Sequence, residues 1–201
     1  MLLILESRPL LGDAFYKRAV DDVIAVYWRD YDKNSADFLP VFLLNDILRF
    51  WKTLCLNYEE RTGMAREDKP GKRRLHNYKL KHSRLLTCYS AVIALQAILE
   101  RDEGTVSPDA VAQVVSWTPT QRLEEVAQIR TSLVGNVDRI LVKYAHFLDT
   151  CDADSSELSS KFEGVAFKRA RFEEATAFGN DVFDLVFALG EGTSLFRYLV
   201  I

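Results

Sequence analysis

The sequence predicts an all-α protein, an irregular or up-down bundle of five to seven helices. Apolar residues recur at helical spacing through most of the chain, and no convincing alternating strand is present. Ser107-Pro108 and Thr118-Pro119 are typical helix starts, in which the hydroxyl caps the helix and proline takes its first position. Mostly short connections separate the periodic stretches, which favours a packed bundle.

The periodicity and these boundary signals predict helices over residues 13–30, 38–61, 73–100, 108–116, 119–149 and 161–189. Asp37 is expected to cap the second of these, and Pro40 fits its first turn. Residues 62–74 are predicted as a basic, solvated loop because glycine and proline interrupt a run of charges. The polar, acidic stretch 152–160 is predicted as a linker, and the tail SLFRYLVI as a docked last turn.

A chain of 201 residues can bury a substantial core. We expect residues 1–150 to form the main helical bundle, and residues 151–201 to add a C-terminal helix and tail that pack on the same bundle. The start, MLLILESRPLLGD, is interrupted by charge too early for a signal peptide. It is typical of the end of a helix that begins upstream, so we expect a domain fragment.

The formal net charge of −3 argues against general attraction to nucleic acids or membranes. Anion binding must therefore come from a local patch, and residues 66–84 supply one because they are rich in lysine and arginine. The three cysteines have no metal-type spacing, and two lie in apolar helical patterns. That usage favours a reducing compartment, so we expect a cytoplasmic protein without a membrane-spanning helix.

Two apolar segments carry the same polar pattern, an asparagine and two cations at positions i, i+4 and i+7. These residues are Asn45, Arg49 and Lys52 in the first segment, and Asn77, Lys81 and Arg84 in the second. On helices each set shares a face, which predicts a common pocket for phosphate. The alternative is that acidic neighbours such as Asp46, Glu59 and Glu60 pair with the cations and both stripes face water.

Arg139 and His146 are a second candidate pair, separated by six residues in DRILVKYAHF. On a helix they lie within about 20° of the same face. The spacing resembles that of the HEPN-type ribonucleases, small all-α proteins in which arginine and histidine from two protomers meet at a dimer cleft. That resemblance implies His146 as general base and Arg139 as the group that stabilises phosphorane charge.

No metal site is expected from the sequence. His76 and His82 lack nearby cysteine or carboxylate partners. The acidic pairs Asp30-Tyr31-Asp32 and Asp152-Ala153-Asp154 could hold magnesium, but both lie at predicted helix boundaries, where aspartate is a common cap.

A broader resemblance rests on three segments, LLILESRPL, FLLNDILRFWKTLCLNYEE and HNYKLKHSRLL. Together they resemble the helical region of bacterial nucleotidyltransferase-domain proteins of the DNA polymerase β-like superfamily. The resemblance covers roughly residues 2–90. The catalytic half of that superfamily carries a Gly-Ser turn and an Asp-x-Asp magnesium pair, and this chain has neither in that context.

The resemblance therefore implies a non-catalytic helical part that partners an upstream nucleotidyltransferase domain in cis and helps to bind a nucleoside triphosphate or an acceptor. Magnesium and the triphosphate would be cofactors only with that domain present. Family architecture places Lys79, Lys81, Ser83 and Arg84 on the triphosphate side, opposite Asn45, Arg49 and Lys52. A free-standing ribonuclease or toxin and a protein-interaction module remain the alternatives, and the sequence assigns no oligomeric state.

Overall fold

The computed structural model describes residues 1–64 and 70–199, with only the backbone described from 61 to 64. All regular structure in these residues is helical, which confirms the all-α class. The α-helices are α1 (Leu2–Leu5), α2 (Asp13–Tyr27), α3 (Tyr31–Asn34), α4 (Val41–Met64), α5 (Pro70–Lys79), α6 (Leu85–Arg101), α7 (Pro108–Ser116), α8 (Pro119–Ile129), α9 (Val134–Cys151), α10 (Ser155–Lys161) and α11 (Val165–Gly190). The prediction of five to seven helices was too low, because short helices form in predicted connections and two predicted long helices are divided.

The start of α4 differs from the prediction. Asp37 does not cap it, because the helix begins at Val41, and Pro40 supplies the first carbonyl, which accepts from the Leu44 amide. The predicted loop at 62–74 is also largely helical, since α4 runs to Met64 and α5 begins at Pro70. Its centre, residues 65–69, lies outside the described residues.

The predicted helix 73–100 is divided by a π-helical turn over Leu80–Arg84. A π turn bonds i to i+5, so it holds one residue more than an α turn and rotates later side chains by about 100°. Before it, Leu75 and Tyr78 are buried. After it, nearly every side chain of α6 is buried, which makes α6 the central helix of the fold.

The predicted helix 119–149 is also divided. Its start is as predicted, with Thr118 and Gln121 forming a reciprocal capping box. Helix α8 then ends at Ile129, because Arg130 leaves the helical region and its guanidinium donates to the Ala188 carbonyl on α11 at 3.1 Å. The predicted linker 152–160 contains α10, whose first amides donate to the Asp154 carboxylate.

The core consists of two clusters of buried apolar residues. The larger surrounds α6, against which α4, α7, α8 and α11 pack. The smaller lies between α5, α9, α10 and α11 and consists of Leu75, Tyr78, Phe147, Leu158, Phe162 and Ala175. Helices α9 and α11 therefore pack against each other across the smaller cluster, and this contact positions the site described below.

Arg122 is fully buried within the larger cluster, where its guanidinium has a structural role. Its Nε donates to the Val114 carbonyl at 2.9 Å, and Nη1 donates to the Thr87 carbonyl at 3.2 Å. Arg8 donates to the neighbouring Val115 carbonyl. The last carbonyls of α7 thus bind two cations, the favourable charge at a helix C-terminus. Burial lowers the pKa of Arg122 to about 10.

Candidate functional site

The first predicted stripe, on α4, has three different environments. Asn45 is buried and donates from Nδ2 to the Tyr198 carbonyl of the C-terminal tail at 2.9 Å. Arg49 is exposed and pairs with Asp46 at 2.8 Å, the alternative that the sequence had left open. Lys52 is exposed. The asparagine therefore holds the tail in place, while the two cations face solvent.

The second stripe crosses the π turn, and its members have partners on different helices. Asn77 lies near the Tyr58 hydroxyl on α4, which donates to the Arg73 carbonyl at 3.3 Å. Lys81 lies over the ring of Phe172 on α11, 5.5 Å from its centroid. Arg84 pairs with Glu6, just after α1. The extra residue of the π turn turns Arg84 away from Lys81, so the stripe does not remain on one face.

The other two predicted phosphate ligands, Lys79 and Ser83, are partly buried. Lys79 lies near the Cys151 thiol, and the Ser83 carbonyl accepts from the Thr87 hydroxyl. The eight residues thus share no common set of neighbours. Their partners lie just after α1, on α4, α6, α9 and α11, and in the tail. The structure therefore does not bring the eight residues together as two walls of one pocket.

Arg139 and His146, by contrast, lie in one row on the side of α9 that faces α11. Arg139 Nε is 3.8 Å from Asp181 Oδ1, and His146 Nδ1 is 3.6 Å from Glu174 Oε2. Between them, Lys143 pairs with the second oxygen of Asp181. Both predicted residues remain about half exposed, with 53 % of the Arg139 side chain and 55 % of the His146 side chain accessible.

Arg171 connects His146 to α11 by a second route. Its Nη2 lies 2.6 Å from Glu174 Oε1, and its Nη1 donates to Thr150 Oγ1 at 3.3 Å. Thr150 in turn donates to the His146 carbonyl oxygen at 2.8 Å. The guanidinium therefore contacts the carboxylate beside the His146 ring and the hydroxyl bound to the His146 backbone. Together with the contact between His146 and Glu174, these contacts form a closed network through one histidine.

The charges of this α9–α11 row do not cancel. Arg139, Lys143 and Arg171 carry three positive charges, and Asp181 and Glu174 carry two negative ones. His146 adds another positive charge when it is protonated. A row with excess positive charge and a half-exposed imidazole can bind a phosphate and exchange a proton with a bound group.

The aromatic side chains beneath this row are buried and electrically neutral at pH 7. His82 stacks on Phe147 and Phe178, with ring centroids 4.6 and 4.8 Å away. Burial lowers its pKa to about 4, although a hydrogen bond with the Tyr78 carbonyl acts in the opposite direction. Burial also raises the pKa of Tyr78. Neither group changes its charge near neutral pH.

The described residues offer no group of three or more histidine, cysteine, aspartate or glutamate side chains that could hold a metal ion. Of the two acidic pairs, Asp152-Ala153-Asp154 contributes a helix cap, because Asp154 Oδ1 accepts from the Ser156 and Glu157 amides. Asp30 precedes α3, and Asp32 lies in its first turn. The magnesium pair of the nucleotidyltransferase superfamily does not fit either segment.

A shallow groove of about 600 Å³ runs along another side of α11. Phe172, Lys168 and Arg169 contribute an aromatic ring and two cations to it, and Arg169 pairs with Glu173 at 2.8 Å. The groove is open and lies away from the face of α11 that carries Glu174 and Asp181. It is therefore a separate surface from the α9–α11 row.

The helical spacing predicted Arg139 and His146 as a candidate pair, but it did not predict their partners on α11. One available signal was the spacing, since Glu174 and Asp181 are also seven residues apart. Two antiparallel helices with opposite charges at i and i+7 can pair at both positions. Arg171 and Thr150 carried no comparable signal, because their role depends on the packing of α9 against α11.

Comparison with models of protein families, with curated proteins and with solved structures gives no match in any of the three. Within the described residues, no helix is both long and apolar enough to cross a bilayer.

Proposed function

We propose that this protein binds RNA along the α9–α11 row and cleaves it there, with His146 as the general base. The observation that carries the proposal is that Asp181 and Glu174 hold Arg139, Lys143 and His146 in one half-exposed row, to which Arg171 adds a third cation. A surface arginine and histidine without such partners would give no reason to expect a site.

In the proposed reaction, the free nitrogen of His146 accepts the proton of a ribose 2′-hydroxyl. The 2′-oxygen attacks the adjacent phosphorus, and the bond from phosphorus to the 5′-oxygen breaks. The 5′-oxygen takes a proton from water, and the products are a 2′,3′-cyclic phosphate and a 5′-hydroxyl. Positive charge near the phosphate lowers the barrier because negative charge develops on its oxygens.

The helix geometry distributes the cations along the RNA. A rise of 1.5 Å per residue puts Lys143 about 4.5 Å and Arg139 about 10.5 Å from His146 along the α9 axis. Of the two cations on α9, Lys143 is therefore nearer to the attacked phosphate, and Arg139 lies at a distance that suits the neighbouring phosphate. This differs from the sequence-based expectation that Arg139 itself stabilises the phosphorane.

The test is cleavage of a single-stranded RNA of mixed sequence by the purified chain, with identification of the new ends. His146→Ala should lower the rate by about 10²- to 10⁴-fold, the usual contribution of a general base. His76→Ala is the matched control, because His76 is exposed on α5. No cleavage by the wild-type chain, or equal rates for wild type and His146→Ala, would contradict the proposal.

The nucleotidyltransferase-like hypothesis stays a prediction. Its test is charge reversal at Arg49 and Arg84 in a protein that contains the upstream domain; unchanged triphosphate affinity in a folded double variant would refute it.

The interaction-module hypothesis also stays a prediction. One feature that supports it is the exposure of Leu10 and Leu11, which are 97 % and 93 % accessible. We further propose a cytoplasmic location, because Cys55, Cys88 and Cys151 are all free thiols.

A further inference from the structure

We infer that Arg171 is a positioning residue, which fixes the His146 ring with its Nδ1–H toward Glu174 and leaves its Nε2 free to accept a proton. The importance of this for catalysis rests on the function proposed above. The orientation and the protonated nitrogen are properties of the folded chain, and they can be measured without any activity.

The first step of the argument is the placement of the Glu174 carboxylate. One oxygen, Oε1, pairs with Arg171 Nη2 at 2.6 Å. The other, Oε2, is buried and makes no hydrogen bond to any part of the chain that the structure describes. The side chain that pairs with Oε2 is the His146 ring, whose Nδ1 lies 3.6 Å away. A closure of about 0.6 Å makes this contact a normal hydrogen bond.

The second step concerns which ring nitrogen carries the proton. A buried carboxylate oxygen with no other donor favours a proton on the nitrogen that faces it. In neutral His146 the proton should therefore reside on Nδ1, and Nε2 remains an acceptor. An imidazole free in water favours the other tautomer, with the proton on Nε2. The site thus selects the form in which the exposed nitrogen can act as a base.

The third step is the dependence of this arrangement on Arg171. Its side chain is only 18 % accessible, and its guanidinium also lies over the Phe167 ring, 5.5 Å from the centroid. With one nitrogen on Glu174 and another on Thr150, the planar fork fixes the carboxylate and the His146 carbonyl relative to each other. A lysine could pair with Glu174 but could not reproduce both contacts.

The experiment is NMR of the full-length chain labelled with ¹⁵N, using two-bond ¹H–¹⁵N correlations of the histidine rings. The chain has three histidines, so the spectrum is simple, and neutral His82 provides an internal reference. The wild type should show His146 mainly as the Nδ1–H tautomer. Arg171→Met and Glu174→Gln should both shift it toward Nε2–H, and Arg171→Lys should give an intermediate ratio.

Arg169→Met is the matched control, because Arg169 lies two residues away on α11, is exposed and pairs with Glu173. It should leave the His146 tautomer unchanged. If Arg171→Met does not fold, Glu174→Gln tests the same orientation with the guanidinium intact. A wild-type His146 in the Nε2–H form, or an unchanged tautomer in both folded variants, overturns the inference.

The outcomes separate this inference from the proposed function. A fixed Nδ1–H tautomer in a chain that does not cleave RNA would refute the function and leave the positioning role of Arg171 intact. If the chain is active, Arg171→Met should lower the cleavage rate by about 10- to 100-fold, as expected for loss of a group that orients a functional histidine. Equal cleavage rates would remove its catalytic importance.

Discussion

Substitution of Gly71 by alanine tests the packing beneath the α9–α11 row. Gly71 lies in the first turn of α5, where α5 meets α10. A Cβ atom there would lie 2.0 Å from the Ser159 carbonyl oxygen and 2.9 Å from Cγ of Glu163. The first of these neighbours is backbone and cannot rotate away. Helix α10 must therefore move by about 1 Å, which loosens the contacts of the smaller core cluster.

Overpacking of this kind costs typically about 1–3 kcal/mol. The better helix propensity of alanine offsets part of this free-energy cost, but by less than about 1 kcal/mol. We therefore expect Gly71→Ala to be destabilised, with the melting temperature lowered by about 2–4 °C for each kcal/mol in a chain of this size. Urea unfolding followed by circular dichroism gives the free energy directly.

Gly179→Ala is the matched control, because Gly179 lies within α11 and a Cβ there would have no neighbour within 4 Å among the described residues. The same substitution should stabilise at that position, by about 0.5–1 kcal/mol. The two variants should thus shift the unfolding midpoint in opposite directions. A Gly71→Ala chain as stable as wild type, or more stable, would refute the close approach of α5 and α10.

Two further predictions concern a buried titration and a helix cap. His82 has a pKa near 4 in the fold and 6.5 when unfolded, so the unfolded chain binds more protons between these values. The stability that His82 contributes should be fully present above pH 6.5 and should fall as the pH drops toward 4. His82→Phe should reduce this pH dependence of the free energy of unfolding in urea titrations. An equal pH dependence in wild type and variant would contradict the lowered pKa of His82. Thr118→Ala should lose about 0.5–2 kcal/mol because its hydroxyl accepts the Gln121 amide, whereas Thr118→Ser should retain most of it. Equal stability of the alanine and serine variants would show that the cap contributes nothing.

The elements predicted correctly from the sequence are those set by neighbouring residues. Ser107-Pro108 and Thr118-Pro119 begin helices in the structure as they do in the pattern, because a hydroxyl and a proline at these positions act within one turn. The breaks that were missed depend on distant residues. Helix α8 ends where Arg130 reaches α11, and no glycine or proline marks that position.

The candidate site also has one part that local sequence predicts and another part that depends on distant residues. Arg139 and His146 share a helix face, and that relation needs only the helical period. Glu174 and Arg171 join them through the packing of α11 on α9, which the period of either helix alone does not specify. The phosphate ligands predicted at Lys81 and Arg84 diverge for a similar reason, since the π turn between them arises where one helix contacts two separate clusters.

The π turn at Leu80–Arg84 also limits how the length of this chain can change. Leu75 and Tyr78 on one side of it enter the smaller cluster, and Leu86 and Ile93 on the other side enter the larger one. Deletion of one residue within the turn would restore a regular α-helix and rotate one set against the other by about 100°. One of the two core clusters would then lose the side chains that this helix buries in it. Point substitutions should therefore be tolerated in this segment far better than single-residue insertions or deletions.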